Sequence, residues 1–179
     1  MPRRTRDRRG TVTTAIDHPS RRLLISLPHD YEQARARYEN LVPAVDLEGF
    51  AAATTWDEVL AEAKAQAPHG FLRYFRTDVA PAMAGSGTTW QSTEYLMGNH
   101  TIAERMYRHD PAVMLHAPLR TLLYDGPIGT VLAVDQPSLL FASYDNPAIA
   151  TVGHELDALL VILIELLGGD VPEELRSAT

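Results

Sequence analysis

Cysteine is absent from all 179 residues. That removes disulfides, thiolate nucleophiles, iron–sulfur clusters and cysteine-ligated zinc from the chemistry open to this chain. Lysine is almost absent too: Lys64 is the only one among sixteen basic residues, a bias that carries no chemical message. Long apolar runs are missing, since the longest, residues 159–164, falls far short of the roughly 20 residues that cross a bilayer. No apolar segment follows the basic N-terminus as a secretory leader requires. The expectation is a soluble, cytoplasmic protein without a membrane partner.

What is present is an uneven charge distribution. The formal net charge is −7, yet Arg3, Arg4, Arg6, Arg8 and Arg9 crowd the N-terminus against Asp7 alone. Residues 11–179 then carry twice as many acidic as basic side chains. Such a body repels nucleic-acid phosphates, and the arm brings no aromatic or groove-reading element. Nucleic acid is not the expected partner, and residues 1–10 read as a disordered, solvated arm ahead of one domain over residues 11–170, with a flexible tail over 171–179.

Residues 11–16 and 22–27 read as one bent strand or a hairpin around His18-Pro19-Ser20. Asp30 with Gln33 and Thr55 with Glu58 have capping-box spacing before two helices, the second with Trp56, Val59, Leu60 and Ala63 on one face. Strands are expected over residues 71–77 and 89–97, separated by a small-residue loop. A short helix then starts at the N-cap Asn99, with Ile102, Ala103, Met106 and Tyr107 on one face. Residues 115–124, 130–135 and 138–144 read as further strands at hairpin spacing. The closing helix is the clearest element. Asn146 caps it, Pro147 takes its first position, a stripe from Ile149 to Leu167 lines one face, and Gly168-Gly169 stops it. This order argues for an α+β fold: a single antiparallel β-sheet with helices packed on one face and the long C-terminal helix across it.

Several motifs in fixed order give the sequence a recognisable character. They are Tyr95-Leu96-Met97-Gly98-Asn99, Ile102-Ala103-Glu104-Arg105-Met106, Arg108-His109-Asp110-Pro111, Ala117-Pro118-Leu119-Arg120 and Asp135-Gln136-Pro137-Ser138, then Asn146-Pro147 and Glu155-Leu156-Asp157. In these the chain resembles the family known as domain of unknown function three hundred and two, over roughly residues 70–167. The resemblance implies one elaborated copy of the TATA-box-binding-protein-like fold (strand, helix, four antiparallel strands, helix), often paired as a dimer. It brings no established activity. The family pattern leads one to expect proline after Gly98-Asn99 and an aromatic residue before Ala117-Pro118-Leu119-Arg120; here His100 and His116 stand in those places.

His100 and Glu104 are four residues apart and share a helix face, while His116, Arg120 and Tyr124 alternate onto one face of the expected strand. An imidazole beside a guanidinium suits an anionic or carbonyl ligand: the arginine holds a carboxylate bidentately and the histidine moves a proton near neutral pH. The plain alternative is that Arg120 pairs with Glu94 or Asp135 to orient strands. Ser138 and His154 lack a nucleophile elbow, and Gly85 and Gly87 precede neither a lysine nor a helix, so neither a hydrolase triad nor a phosphate loop is expected. Met83, Met97, Met106 and Met114 read as core packing.

The leading expectation is a homodimeric small-molecule-binding protein, in its catalytic version a cofactor-independent acid–base enzyme of isomerase, cyclase or dehydratase type. His100 and His116 would carry protons, Glu104 would orient an imidazole, and Arg120, Tyr124 and Asn99 would hold the substrate. All would meet in one pocket. The rivals are a non-enzymatic homodimeric interaction module and a haem or metal binder using His100 or His116.

Overall fold

The computed structural model describes residues 3–6 and 12–176. Arg3–Arg6 (β1) and Val12–Ala15 (β2) pair antiparallel in a small ribbon of their own. Two expectations change here: part of the arm is strand, and β2 does not continue into Arg22–Ser26 (β3), which joins the main sheet. The reason lies in the apolar pattern. β3 alternates Leu23 and Ile25 inward, whereas Val12-Thr13-Thr14 offers no apolar face to a core. The rest of the arm lies outside the described residues.

Three helices follow. Tyr31–Leu41 (α1) begins where the Asp30 carboxylate accepts the Gln33 N–H at 2.9 Å. Leu47–Ala51 (α2) is a short turn that the sequence pattern did not mark. Trp56–Gln66 (α3) carries the full reciprocal box of Thr55 and Glu58, but of its expected face only Ala63 is buried, and Trp56 and Leu60 are exposed. The main sheet then grows through Leu72–Asp78 (β4) and Ser92–Gly98 (β5), the helix His100–Tyr107 (α4), and the hairpin Leu119–Gly126 (β6) and Gly129–Asp135 (β7). Its order is β3-β7-β6-β5-β4, and every pairing is antiparallel.

Two expected strands are corrected. The segment 115–124 starts as a 3-10 turn over Pro111–Leu115, with the Asp110 carboxylate capping the Ala112 N–H at 2.8 Å. β6 begins only after Pro118, which has no N–H to give a ladder. The segment 138–144 is the helix Pro137–Ala142 (α5). Proline presets its first turn, and the buried Asp157 carboxylate accepts the Ser138 N–H at 2.9 Å, a cap supplied from a distant helix.

Pro147–Leu167 (α6) closes the fold as expected, capped by Asn146 and ended by Gly168 in the left-handed region at φ 80°. Glu173–Arg176 (α7) replaces the expected flexible tail: Val171 and Leu175 are buried in the core, and only residues 177–179 lie outside the described residues. Leu23, Ile25, Tyr95, Met97, Leu119, Leu123, Leu132 and Val134 form the covered face of the sheet beneath α1 and α6. The Tyr38 ring stacks on Tyr95 at 4.5 Å, and the hydroxyls of Tyr38 and Tyr31 meet those of Thr121 and Thr93 at 2.8 and 2.5 Å. These pairs fix the register of α1 on the sheet while satisfying polar atoms that burial would otherwise strand. The opposite face carries Leu24, Leu122, Tyr124, Ala133 and Arg120, and no helix among the described residues covers it.

Candidate ligand site

Two hollows lie on either side of the loop that leads into β6. The first is a cavity of about 160 Å³ among the end of β5, α4, α5 and α6, lined by Ile102, Ala103, Met106, Met114, Phe141 and Leu156. Its polar members are Tyr74, Asn99 and His100. The second is a larger groove of about 510 Å³ that gathers His18, Ser20, His116, Arg120 and Asp135.

His100 opens α4 because Asn99 caps that helix. The Asn99 carbonyl oxygen accepts the Thr101 N–H at 3.0 Å and the Thr101 hydroxyl at 2.7 Å, while its amide donates to the Gly70 carbonyl at 3.2 Å. Asn99, expected to bind substrate, is thus occupied in building the site. The His100 backbone N–H donates to the Tyr74 oxygen at 3.1 Å, and the Tyr74 hydroxyl lies 2.7 Å from His100 Nδ1. The arrangement that satisfies every group has Tyr74 accepting from the backbone and donating to Nδ1, which leaves the imidazole hydrogen on Nε2. Phe50 stands edge-to-face against the ring at 4.2 Å between centroids. Burial holds the His100 imidazole below the usual histidine value and pushes the Tyr74 hydroxyl above the usual tyrosine one. The pair is neutral around pH 7.

Glu104 does not orient His100. It grips Arg108, one turn along α4, with both carboxylate oxygens, because a guanidinium is the stronger partner for a carboxylate than a neutral imidazole. Tyr74 took that place, and no sequence spacing announces it. The residue sits where the β4–β5 register slips between Arg73 and Phe75, and a bulge re-aims the side chain it contains.

His116 ends the 3-10 turn rather than lying on β6, so the expected alternation of His116, Arg120 and Tyr124 is corrected to Arg120 and Tyr124 alone. It still reaches the groove beside Arg120. Its ring lies 5.9 Å from that of His18 and packs edge-on to Phe141 and Tyr144. Burial, with the neighbouring His18, lowers its basicity, and Asp135 opposes the shift. Arg120 is mostly exposed and touches Glu94 through Nε at 3.4 Å, while Asp135 pairs with Arg22 at 3.2 Å. Tyr124 lines a shallow depression on the open sheet face with Arg120 and Leu24, away from both histidines.

The single expected pocket therefore divides. His100 and Asn99 line the cavity, His116 and Arg120 the groove, Tyr124 the open face, and Glu104 the outer surface of α4. Among the described residues no group of three or more histidine, aspartate or glutamate side chains is placed to hold one metal ion, and no helix is long and apolar enough to cross a membrane. The cavity at His100 is also too small for a porphyrin.

The fold places the chain among known structures. A crystal structure of an uncharacterized conserved DUF302 protein from Bacillus stearothermophilus superposes with a TM-score of 0.60 at 14% identity, covering 82% of this chain and 97% of that one. No curated protein matches the sequence. The model of the family "Domain of unknown function DUF302" matches residues 49–167, which takes in β4 to β7, α4 and all of α6, and with that span the chain belongs to the DUF302 family.

Proposed function

We propose that this protein binds a small, mainly apolar organic molecule, about one ring in size, in the cavity beside His100. One observation carries the reading: a hollow of about 160 Å³ with almost wholly apolar walls has a single imidazole held at its edge by a tyrosine. An enclosed apolar protein cavity of about 150 Å³ takes up benzene, so a hydrocarbon ring matches this hollow in size, with His100 at its edge.

The acid–base version of this reading follows from the state of that imidazole. A neutral His100, its Nδ1 taken by the Tyr74 hydroxyl and its hydrogen on Nε2, donates that Nε2–H to the carbonyl oxygen of an enolisable ligand, and Tyr74, kept protonated by burial, orients it. Isomerisation, cyclisation and dehydration are the reaction classes within reach without a cofactor. The test is ligand-observed NMR on the full chain with toluene, phenol and cyclohexanone, beside the variant Ala103→Phe, which fills the cavity. Binding by the parent and loss in the variant is the expected outcome. Equal binding by both, or none by either, overturns the proposal.

The second reading, a homodimeric interaction module, is favoured by the open sheet face. There Leu24, 60% exposed, pairs across the sheet with Ala133 and so with Leu122. Sedimentation velocity on the parent and on Leu24→Glu decides it, a dimer that the charge dissociates being the supporting result.

A further inference from the structure

The cavity and the groove share four lining residues: Met114, Ala117, Pro118 and Leu119. Three of these are fixed. Leu119 opens β6, and Ala117 and Pro118 precede it against Gly98, where a Cβ would come within 3.3 Å of the Pro118 ring. Met114 is different: it lies on a short 3-10 turn, is 46% exposed, and has an unbranched side chain that swings among rotamers at little cost. Of the four shared residues, Met114 is the one whose side chain can move aside.

The groove's charges favour an anion. Asp135 is already paired with Arg22, whereas Arg120 meets Glu94 through Nε, and among the described residues its terminal nitrogens have no hydrogen-bond partner. The His18 and His116 rings stand 5.9 Å apart beside it and add ring N–H groups that can meet an anion. A guanidinium presents paired N–H groups that match the two oxygens of a carboxylate.

We propose that the cavity and the groove are one site divided by Met114, and that its ligand is a small aryl-alkyl carboxylate, its ring in the cavity and its carboxylate on Arg120 and His116. This rests on the ring-binding reading above and adds the ligand's second half. A ring alone would leave the groove empty, and a carboxylate alone would make only exposed contacts that water and salt weaken. Joining the two makes the second contact intramolecular.

Calorimetric titration of the full chain with 3-phenylpropanoate, its neutral amide, toluene and acetate tests the assignment. The carboxylate should bind about tenfold more tightly than the amide, in keeping with one charge-assisted contact, and acetate should bind far more weakly than either. Arg120→Gln should erase the difference between acid and amide while toluene binding stays unchanged; His116→Gln should reduce it. Met114→Ala, which shortens the partition, should tighten 3-phenylpropanoate and leave acetate as it was. If toluene binds but acid and amide bind equally, the joined site is wrong and the ring-binding reading survives. Acetate binding as tightly as 3-phenylpropanoate also overturns the joined site. If none of the four binds, both readings fall.

Discussion

His100 shows how the chemistry of one side chain depends on a partner 26 positions away. Tyr74 accepts its backbone N–H and approaches its Nδ1, so one hydroxyl meets two atoms of the residue while burial keeps the imidazole neutral. For His100 and His116 alike, burial depresses basicity in the folded protein. The sign for stability follows: the folded state holds these rings neutral, the unfolded chain binds protons near the ordinary histidine value of about 6.5, and protonation therefore favours unfolding. The melting temperature should be level above about pH 7 and fall as the pH drops through the unfolded value. His100→Gln should flatten that fall. In an NMR titration both histidines should titrate below the ordinary value, and Tyr74→Phe, which removes a hydrogen bond to the neutral ring, should move His100 back upward. A His100 that titrates as in a free peptide would contradict the burial seen here.

At the scale of elements, α6 and its contacts carry the fold. Leu156 and Leu163 are buried in the main core, so Leu156→Ala and Leu163→Ala should each cost about 2–5 kcal/mol in a denaturant titration. The junction of α5 with α6 depends on one fully buried carboxylate, Asp157, which accepts from the Ser138 N–H and the Gln136 amide, both at 2.9 Å. Gly153 lets the helices meet, since a Cβ there would lie 3.1 Å from the Ser138 Cα. Asp157→Ala strands two buried donors and should cost about 2–4 kcal/mol, measured the same way. A loss below 1 kcal/mol would show that water replaces the carboxylate. The α5 helix was illegible in sequence for the same reason: residues 138–144 are short and apolar, which suits a strand as well as a helix, and the cap that decides between them comes from α6.

Across the whole molecule the two termini behave oppositely. The N-terminal ribbon shares no strand with the main sheet, and an isolated two-stranded hairpin adds little stability. Deleting residues 1–11 should leave the melting temperature nearly unchanged. The C-terminus is anchored, with Val171 and Leu175 in the core. Ending the chain at residue 169 should lower the melting temperature by several degrees, because two buried apolar side chains are removed. A larger loss from the N-terminal deletion than from the C-terminal one would reverse this assignment.

The α+β class, the antiparallel strands β4 to β7 and both ends of α6 were readable from the sequence alone, because they rest on local signals: alternating apolar residues, Asn146 and Pro147 at one helix start, Gly168 at its end. The capping roles of Asn99 and Thr55 were readable for the same reason. Which chemistry-bearing side chains meet was not. Tyr74 reaches His100 through a register slip, His116 leaves the strand because Pro118 cannot join a ladder, and Glu104 turns to Arg108. Each outcome is a competition between a local spacing and a partner distant in sequence, and only the packed tertiary structure brings the winning partner within reach.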